Sequence, residues 1–517
     1  MPARFHSMAL LGLNAMPVEV EADISRATLP HFKLVGLPDT AVRESTERVR
    51  AAIANSGLPF PQARVTVNLA PADIKKEGPM HDLAIALAIV SASDRTADRT
   101  GTRRVFLGEL ALNGDLRPIA GALPIADSAL QSGFDEIFFP VGNSAEVGLA
   151  MEGADRARQS AYPARSLSEV MLHLNGSCAI KPLEMPNRAD RPNAARSWPV
   201  DLMHISGQLQ AKRALEIAAA GGHNVLMSGP PGSGKTMLAR AMPSILPDMT
   251  REERMEVTKI RSVAGNLDGA PCLLDERPFR SPHHTASSVA LIGGGSSPRP
   301  GEVSLAHRGV LFLDELPEFP RSALEALRQP LEDGFVTVSR SQCTLRFPAR
   351  FTLVAAMNPC PCGYSTDPTR DCTCTAAAVS RYMKRLSGPL LDRIDLHIEV
   401  PRVDPRDILR ANDDGEPSDL VRQRVKEARD MAVSRFADGK TFTNAGMDHR
   451  MVRRHCLMDA ATESFLGDAT ERLKMSARSI TRALKVARTV ADLSGSERIR
   501  REDLAEALLF RSRTSTV

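Results

Sequence analysis

Residues Gly229-Pro230-Pro231-Gly232-Ser233-Gly234-Lys235-Thr236 fit the phosphate-binding pattern G-x-x-x-x-G-K-[ST], and their flanks are those the pattern requires. Val225-Leu226-Met227 enters as an apolar run suited to a buried strand, and Met237-Leu238-Ala239-Arg240-Ala241 leaves with helical periodicity until Pro243. Glycines let the backbone wrap an anion with its N–H groups inward, and the helix N-terminus adds a favourable dipole. Lys235 is expected to reach the β- and γ-phosphates, and the Thr236 hydroxyl to hold Mg²⁺. The chain is therefore expected to bind a nucleoside triphosphate.

Downstream, Gly309-Val310-Leu311-Phe312-Leu313-Asp314-Glu315 places two acids at the end of four consecutive apolar residues. Such a run reads as a strand buried on both faces, and its carboxyl end is where open α/β sheets bind ligands. Asp314 is expected to hold Mg²⁺ through water and Glu315 to polarise the attacking water, the step that separates hydrolysis from binding. Phe351-Thr352-Leu353-Val354-Ala355-Ala356-Met357-Asn358 is a second buried strand ending in an amide that can orient that water.

Composition bounds the rest. The 517 residues exceed one core, and length alone suggests ~3 domains. Lys+Arg 66 against Asp+Glu 62 leaves +4, too little for the whole chain to act as a polyelectrolyte, so any nucleic-acid contact must come from local basic patches. No run approaches the ~18 apolar residues of a membrane span. The opening residues Met1 to Leu11 lack a signal-peptide core, so the cytoplasm is the expected compartment. Cys178, Cys272, Cys343 and Cys456 are isolated, whereas Cys360, Cys362, Cys372 and Cys374 form C-x-C-x₉-C-x-C. In a reducing compartment such a cluster suggests a structural Zn²⁺ site, with free thiols or a redox switch as alternatives.

Residues 1–175 mix strand-like alternation (Val18 to Ile24, Arg64 to Leu69, Glu136 to Pro140) with helical patterns (Thr40 to Ile53, Asp82 to Val90), the mark of an α+β domain. Lys75-Lys76-Glu77-Gly78-Pro79-Met80-His81-Asp82 and Leu116-Arg117-Pro118-Ile119-Ala120-Gly121 resemble segments of the Lon-protease-like (ribosomal S5 domain 2-like) fold. Met80 stands where that pattern has its serine, and Leu123-Pro124 where it has its lysine, so the fold is expected without proteolysis. A shifted dyad using Ser56 or Lys76 has no motif support. Residues 176–200, with Pro182, Pro186, Pro192 and Pro199 among polar residues, read as an extended linker.

Strand, phosphate loop, Asp-Glu strand and Asn strand, in that order over 201–401, resemble an AAA+ ATPase: an α/β P-loop core with a helical lid over 402–517. In Gly388-Pro389-Leu390-Leu391-Asp392-Arg393-Ile394-Asp395, Arg393 matches the arginine finger offered to a neighbouring subunit. Arg478 matches the sensor-2 arginine of the lid, and a planar, permanently charged fork suits both posts. Either could instead be a surface ion-pair partner. A finger acting in trans demands head-to-tail assembly that closes as a ring.

Arg277-Pro278-Phe279-Arg280-Ser281-Pro282-His283-His284-Thr285-Ala286-Ser287 and Leu291 to Gly301 resemble the helix-2 insert of magnesium-chelatase-like proteins. Phe335 to Val338 and Thr344 to Phe347 flank a polar tip, Ser339 to Gln342, and read as a hairpin. Over nearly its whole length the chain resembles the YifB/ComM family of chelatase-like ATPases. That resemblance implies a six-subunit, ATP-driven ring acting on single-stranded or branched DNA, a helicase migrating branches during natural transformation. From the residues alone, Arg277, Arg280, His283, His284, Arg299 and Arg340 offer phosphate donors without a stacking platform, which suits sequence-independent tracking. The two histidines suit a hydrogen-bonded turn equally well. Arg450, Arg453, Arg454, Arg482, Lys485 and Arg488 read as a solvated helix face given the interspersed acids, with DNA contact as the alternative. The competing function is a chelatase-type motor that remodels a protein or inserts a metal without nucleic acid.

Overall fold

The computed structural model describes residues 3–25, 31–94, 101–153, 155, 157–184, 198–265, 273–295, 298–340, 343–403, 415–436 and 443–511. At its centre is a five-stranded, wholly parallel sheet. Its order is Phe279–Arg280, Val310–Leu313, Thr352–Met357, Val225–Ser228, Leu396–Glu399. Three of these strands are the apolar runs singled out in the sequence. Alternation explains why they are apolar throughout, since successive side chains face opposite sides of a sheet. Val225, Met227, Val310, Phe312, Val354 and Ala356 enter one core, while Leu226, Leu311, Leu313, Leu353, Ala355 and Met357 enter the other.

The first core is closed by helices Leu209–Gly221 and Lys235–Ile245 and by the C-terminal helices Ser418–Arg435, Ala477–Leu493 and Arg501–Leu509. Helices His449–His455 and Ala460–Arg472 complete that group. Residues 404–414 of the expected lid lie outside the described residues. The basic residues of helices His449–His455 and Ala477–Leu493 do not all face solvent as the charge pattern suggested. Arg450, Arg453 and Arg454 are exposed, but Arg482 and Arg488 are buried. Arg488 donates to Asp492 at 3.2 Å and to the Glu497 carbonyl at 2.7 Å. Arg435 and Asn444 bond the same Asp492, so a buried charge finds every partner it needs. Lys485 donates to the Ala445 carbonyl at 2.9 Å.

The N-terminal region builds a four-stranded sheet in the order Ala3–Leu11, Asn14–Ser25, Arg64–Ala70, His31–Val35. Helix Asp82–Asp94 lies against it with Leu83 to Ile89 fully buried, as a helix apolar all round must be. A parallel three-stranded sheet follows, Arg104–Phe106, Glu136–Pro140 and Ser160–Ala164. Residues just beyond 175 continue to pack here: Ile180 is buried and Leu183 N–H donates to the Ala161 carbonyl. Most of the proline-rich stretch, 185–197, lies outside the described residues.

Helix Arg251–Ala264 joins the two halves. Thr250 and Glu253 form its capping box, which satisfies orphan N–H groups at its start. Lys259 pairs with Asp127 at 2.6 Å, Ser262 Oγ donates to Glu146, and Gly121 N–H donates to the Ser262 carbonyl. The segment Pro118 to Leu123, which resembles the lysine-bearing stretch of the Lon fold, thus serves as a docking edge for the central sheet's helix. Met80 is buried, and Lys76 is buried with its ammonium on the Pro71 carbonyl. Among the described residues no contact joins Lys76 to Ser56.

Candidate active site

The phosphate loop leaves an interior strand of the sheet at Ser228. Gly229 must be glycine, because a Cβ there would lie 2.1 Å from the Val400 carbonyl oxygen. Gly232 and Gly234 take φ of 77° and 90°, the left-handed region, which turns the backbone into the helix starting at Lys235. The Lys235 ammonium donates to the carbonyls of Gly229 (2.7 Å) and Pro230 (2.9 Å) and reaches Asn358 Oδ1 at 3.4 Å. Burial lowers its pKa, with Asp314 acting in the opposite direction.

Thr236 Oγ1 donates to Asp314 Oδ2 at 2.9 Å. A hydroxyl and a carboxylate oxygen brought together beside a phosphate loop are the hard donors that suit Mg²⁺, so this pair fits the cation. The Glu315 N–H caps the other Asp314 oxygen at 3.0 Å. Glu315 itself has φ 52°, a strained setting for a non-glycine residue, and its carboxylate lies 3.2 Å from His284 Nδ1. Residues distant in sequence are thereby gathered: Lys235 meets Asn358, Thr236 meets Asp314, and Glu315 follows directly on Asp314.

The two arginines sit elsewhere. Arg393 donates to Glu332 and to the Pro389 carbonyl, and Arg478 donates to the same Glu332 oxygen at 3.1 Å. Both line a cavity of about 640 Å³ whose walls include Glu332, Arg429, Arg482 and Lys485 and do not include the phosphate loop. The Arg393 carbonyl accepts from Asn224 Nδ2, one residue before the strand that leads to the loop. Glu332 carried no motif and was not legible in the sequence. Gln208 was equally silent. With φ 53° it donates to the Ser233 carbonyl at 3.2 Å and to the Pro401 carbonyl at 2.6 Å, bracing the loop from outside.

Several candidate DNA contacts turn inward. Arg277 donates to the carbonyls of Pro247 and Arg308 (2.6 Å each) and to Glu253, so it ties the sheet edge together instead of facing a ligand. Arg280 makes a bidentate pair with Glu302 at 2.6 and 2.8 Å. His283 bonds Thr285 at 2.9 Å within its own turn, and His284 engages Glu315. Arg299 remains exposed beside the short pairing of Gly293–Gly294 with Arg299–Pro300. The hairpin forms as Phe335–Arg340 against Cys343–Pro348, with Arg340 opposite Cys343; its tip, Ser341 and Gln342, lies outside the described residues.

The four clustered cysteines also converge. Their sulfurs all lie within 4.8 Å of one another, with Cys360 to Cys362 at 3.3 Å and Cys372 at 3.6 Å from both. The arrangement can hold a metal ion.

A parallel sheet with its phosphate loop, acid pair and amide at the carboxyl edge defines an AAA+ α/β ATPase fold. Matches to known proteins carry the assignment further. The model for magnesium chelatase, subunit ChlI, matches residues 201–408, that for subunit ChlI of Mg-chelatase 20–143, and that for the ChlI C-terminal part 415–511. The chain is 44% identical over 508 residues to the uncharacterized protein YifB of Escherichia coli, covering 98% of this chain and 96% of that one. It is 43% identical over 507 residues to the competence protein ComM of Haemophilus influenzae, covering 98% and 97%. Lon protease 2 of Bacillus subtilis matches at 28% over 152 residues, 28% of this chain and 27% of that one. The chain belongs to the YifB/ComM family of magnesium-chelatase-like AAA+ proteins. No helix among the described residues is long and apolar enough to cross a membrane.

Proposed function

We propose that this protein is an ATP-hydrolysing ring motor that tracks along DNA, a helicase or branch-migration factor serving natural transformation and recombination in the cytoplasm. The observation that carries the ring is the position of Arg393. Strand Leu396–Glu399 runs parallel to Val225–Ser228, with Leu396 opposite Val225 and Glu399 opposite Ser228. Arg393 precedes the first pair and the phosphate loop follows the last. A four-residue strand rises roughly 13 Å, so Arg393 stands at the far edge of the sheet from its own Lys235. Arg478 shares Glu332 with it and stands at the same edge. Both cations therefore serve the phosphates of a neighbouring copy, and a head-to-tail contact repeated in this way closes as a ring, six copies by the family resemblance.

Within that ring, Mg²⁺-bound ATP supplies the bond to be broken. The loop N–H groups and Lys235 bind its phosphates, while Thr236 and Asp314 hold the cation. Glu315 takes a proton from the attacking water, Asn358 orients that water, and Arg393 and Arg478 of the neighbour offset the charge that builds on the transferred phosphoryl group. Residues 402–517 act as the helical lid, residues 1–175 as a Lon-like domain without proteolysis, and Cys360, Cys362, Cys372 and Cys374 hold a structural zinc. DNA is supported by the relative named as a competence protein, by the hairpin ending at Arg340 and by the exposed Arg299. His283 and His284, expected as DNA contacts, are instead engaged by Thr285 and Glu315 at the base of the insert, so the proposed DNA contact is left to Arg299 and Arg340.

The deciding measurement is the ATPase rate of the full chain with and without single-stranded DNA across a salt series. Stimulation that decays with salt is expected, since phosphate contacts release counterions. A rate indifferent to DNA at every salt concentration moves the assignment to a chelatase-type remodelling motor.

A further inference from the structure

The cysteine cluster lies against the nucleotide site, and its purpose can be read from what it touches. Four thiolates around a tetrahedral ion at about 2.3 Å each stand about 3.8 Å apart. The observed sulfur separations of 3.3, 3.6 and 3.6 Å, with all four within 4.8 Å, match that cage and exceed the ~2.05 Å of a disulfide. Two backbone N–H groups point at sulfurs, Cys362 to Cys374 at 3.3 Å and Cys374 to Cys372 at 3.4 Å, the outer hydrogen bonds that orient metal-ligating thiolates. Between Asn358 and Thr375 the chain has no helix or strand, so the turn needs a cross-link to keep one shape.

That turn grips the phosphate loop from two sides. Cys360 is buried two residues after Asn358, whose Oδ1 meets Lys235. Gly363, at φ 88°, runs so close to the loop that a Cβ on it would lie 2.7 Å from Pro231 Cδ and 3.8 Å from Asn358 Cγ. On the far side, Arg402 reaches Thr369 Oγ1 at 3.3 Å and Asp367 at 3.7 Å, and its neighbour Pro401 accepts from Gln208, which in turn holds Ser233. The cysteine turn, Asn358 and Gln208 thus form one continuous clamp around Pro231, Ser233 and Lys235.

Building on the ATPase and zinc readings above, we propose that metal occupancy of Cys360, Cys362, Cys372 and Cys374 sets the shape of the phosphate loop, so that the metal site controls nucleotide binding at a distance from any DNA contact. The metal takes no part in phosphoryl transfer. It pins the turn whose Gly363 and Asn358 line the loop.

The test uses the full-length chain carrying no histidine tag, with zinc counted by elemental analysis, Co²⁺-thiolate absorbance after exchange, and dissociation constants for a fluorescent ATP analogue. The wild type and Lys235→Ala are expected to hold about one zinc per chain. The Cys372→Ser/Cys374→Ser double variant is expected to hold none and to bind the analogue at least about tenfold more weakly, the scale of a lost supporting contact. Gly363→Ala is expected to keep its zinc and show the same weakening, which separates the clamp from a general loss of folding. Wild-type protein without zinc overturns the proposal, and so does a zinc-free, folded double variant with wild-type analogue affinity. Should the double variant not fold, wild-type affinity in zinc-loaded Gly363→Ala overturns it alone. Zinc-loaded wild type that binds no analogue instead sinks the ATPase reading.

Discussion

Glu315 and His284 meet by topology. Strand Phe279–Arg280 pairs in parallel with Val310–Leu313, Arg280 opposite Leu311, and each side chain stands four residues beyond that pair. The 3.2 Å contact therefore connects the base of the insert to the residue proposed to activate water. Glu315→Gln is expected to lower the hydrolysis rate by about 10²–10⁴-fold while leaving analogue affinity within a factor of a few, because a lost general base costs rate and not binding. His284→Ala frees the carboxylate, so DNA-independent hydrolysis is expected to rise and the stimulation by DNA to shrink. Unchanged rates with and without DNA refute the link. The acid pair was legible because two carboxylates after four apolar residues have few other uses. The histidine was not, since a histidine in a polar turn serves hydrogen bonding, metal binding or packing alike.

At the scale of elements, the acid-bearing strand depends on how closely its entry can approach its neighbour. A Cβ on Gly309 would sit 2.0 Å from the Pro278 carbonyl oxygen, and Arg277 next to it anchors the Arg308 carbonyl. Gly467, inside helix Ala460–Arg472, has nothing within 4 Å. Gly309→Ala is accordingly expected to lower the thermal midpoint and the ATPase rate together, whereas Gly467→Ala stabilises by about 0.5–1 kcal/mol through helix propensity. Thermal unfolding of the two variants beside the wild type checks both signs. The strands were readable because apolar runs bounded by turn residues leave little ambiguity. The charged face of helix Ala477–Leu493 misled: periodicity locates an apolar stripe, but Arg488 is buried because Asp492, Glu497 and Ser496 happen to converge on it.

For the whole molecule, the proposed ring rests on the separation of Lys235 from Arg393 across the sheet, which under that proposal makes each copy half of two sites. Lys235→Ala and Arg393→Ala are each expected to hydrolyse ATP at a small fraction of the wild-type rate, since an arginine supplied in trans contributes about 10³–10⁵ in related phosphoryl transfers. Mixing the two is expected to restore turnover, because seams form in which one copy brings the intact loop and the next the intact arginine. Recovery absent from every mixing ratio, together with full-speed hydrolysis by dilute single copies, removes the ring. Glu332 holds both arginines within one copy, and under the proposed ring these are the contacts that a neighbour's phosphates replace.

The order of motifs along the chain was enough to determine the nucleotide fold, because the phosphate loop, the acid pair and the amide each demand a buried strand ending at one edge of a single parallel sheet. Local chemistry constrains neighbours in sequence, and that is as far as it reaches. Which edge Arg393 and Arg478 occupy, which of Arg277, Arg280 and Arg488 spend their charge on internal carbonyls and carboxylates, and that Gly363 presses on Pro231, were decided by packing. Those contacts join residues tens to hundreds of positions apart, and no pattern within one segment encodes its partner in another.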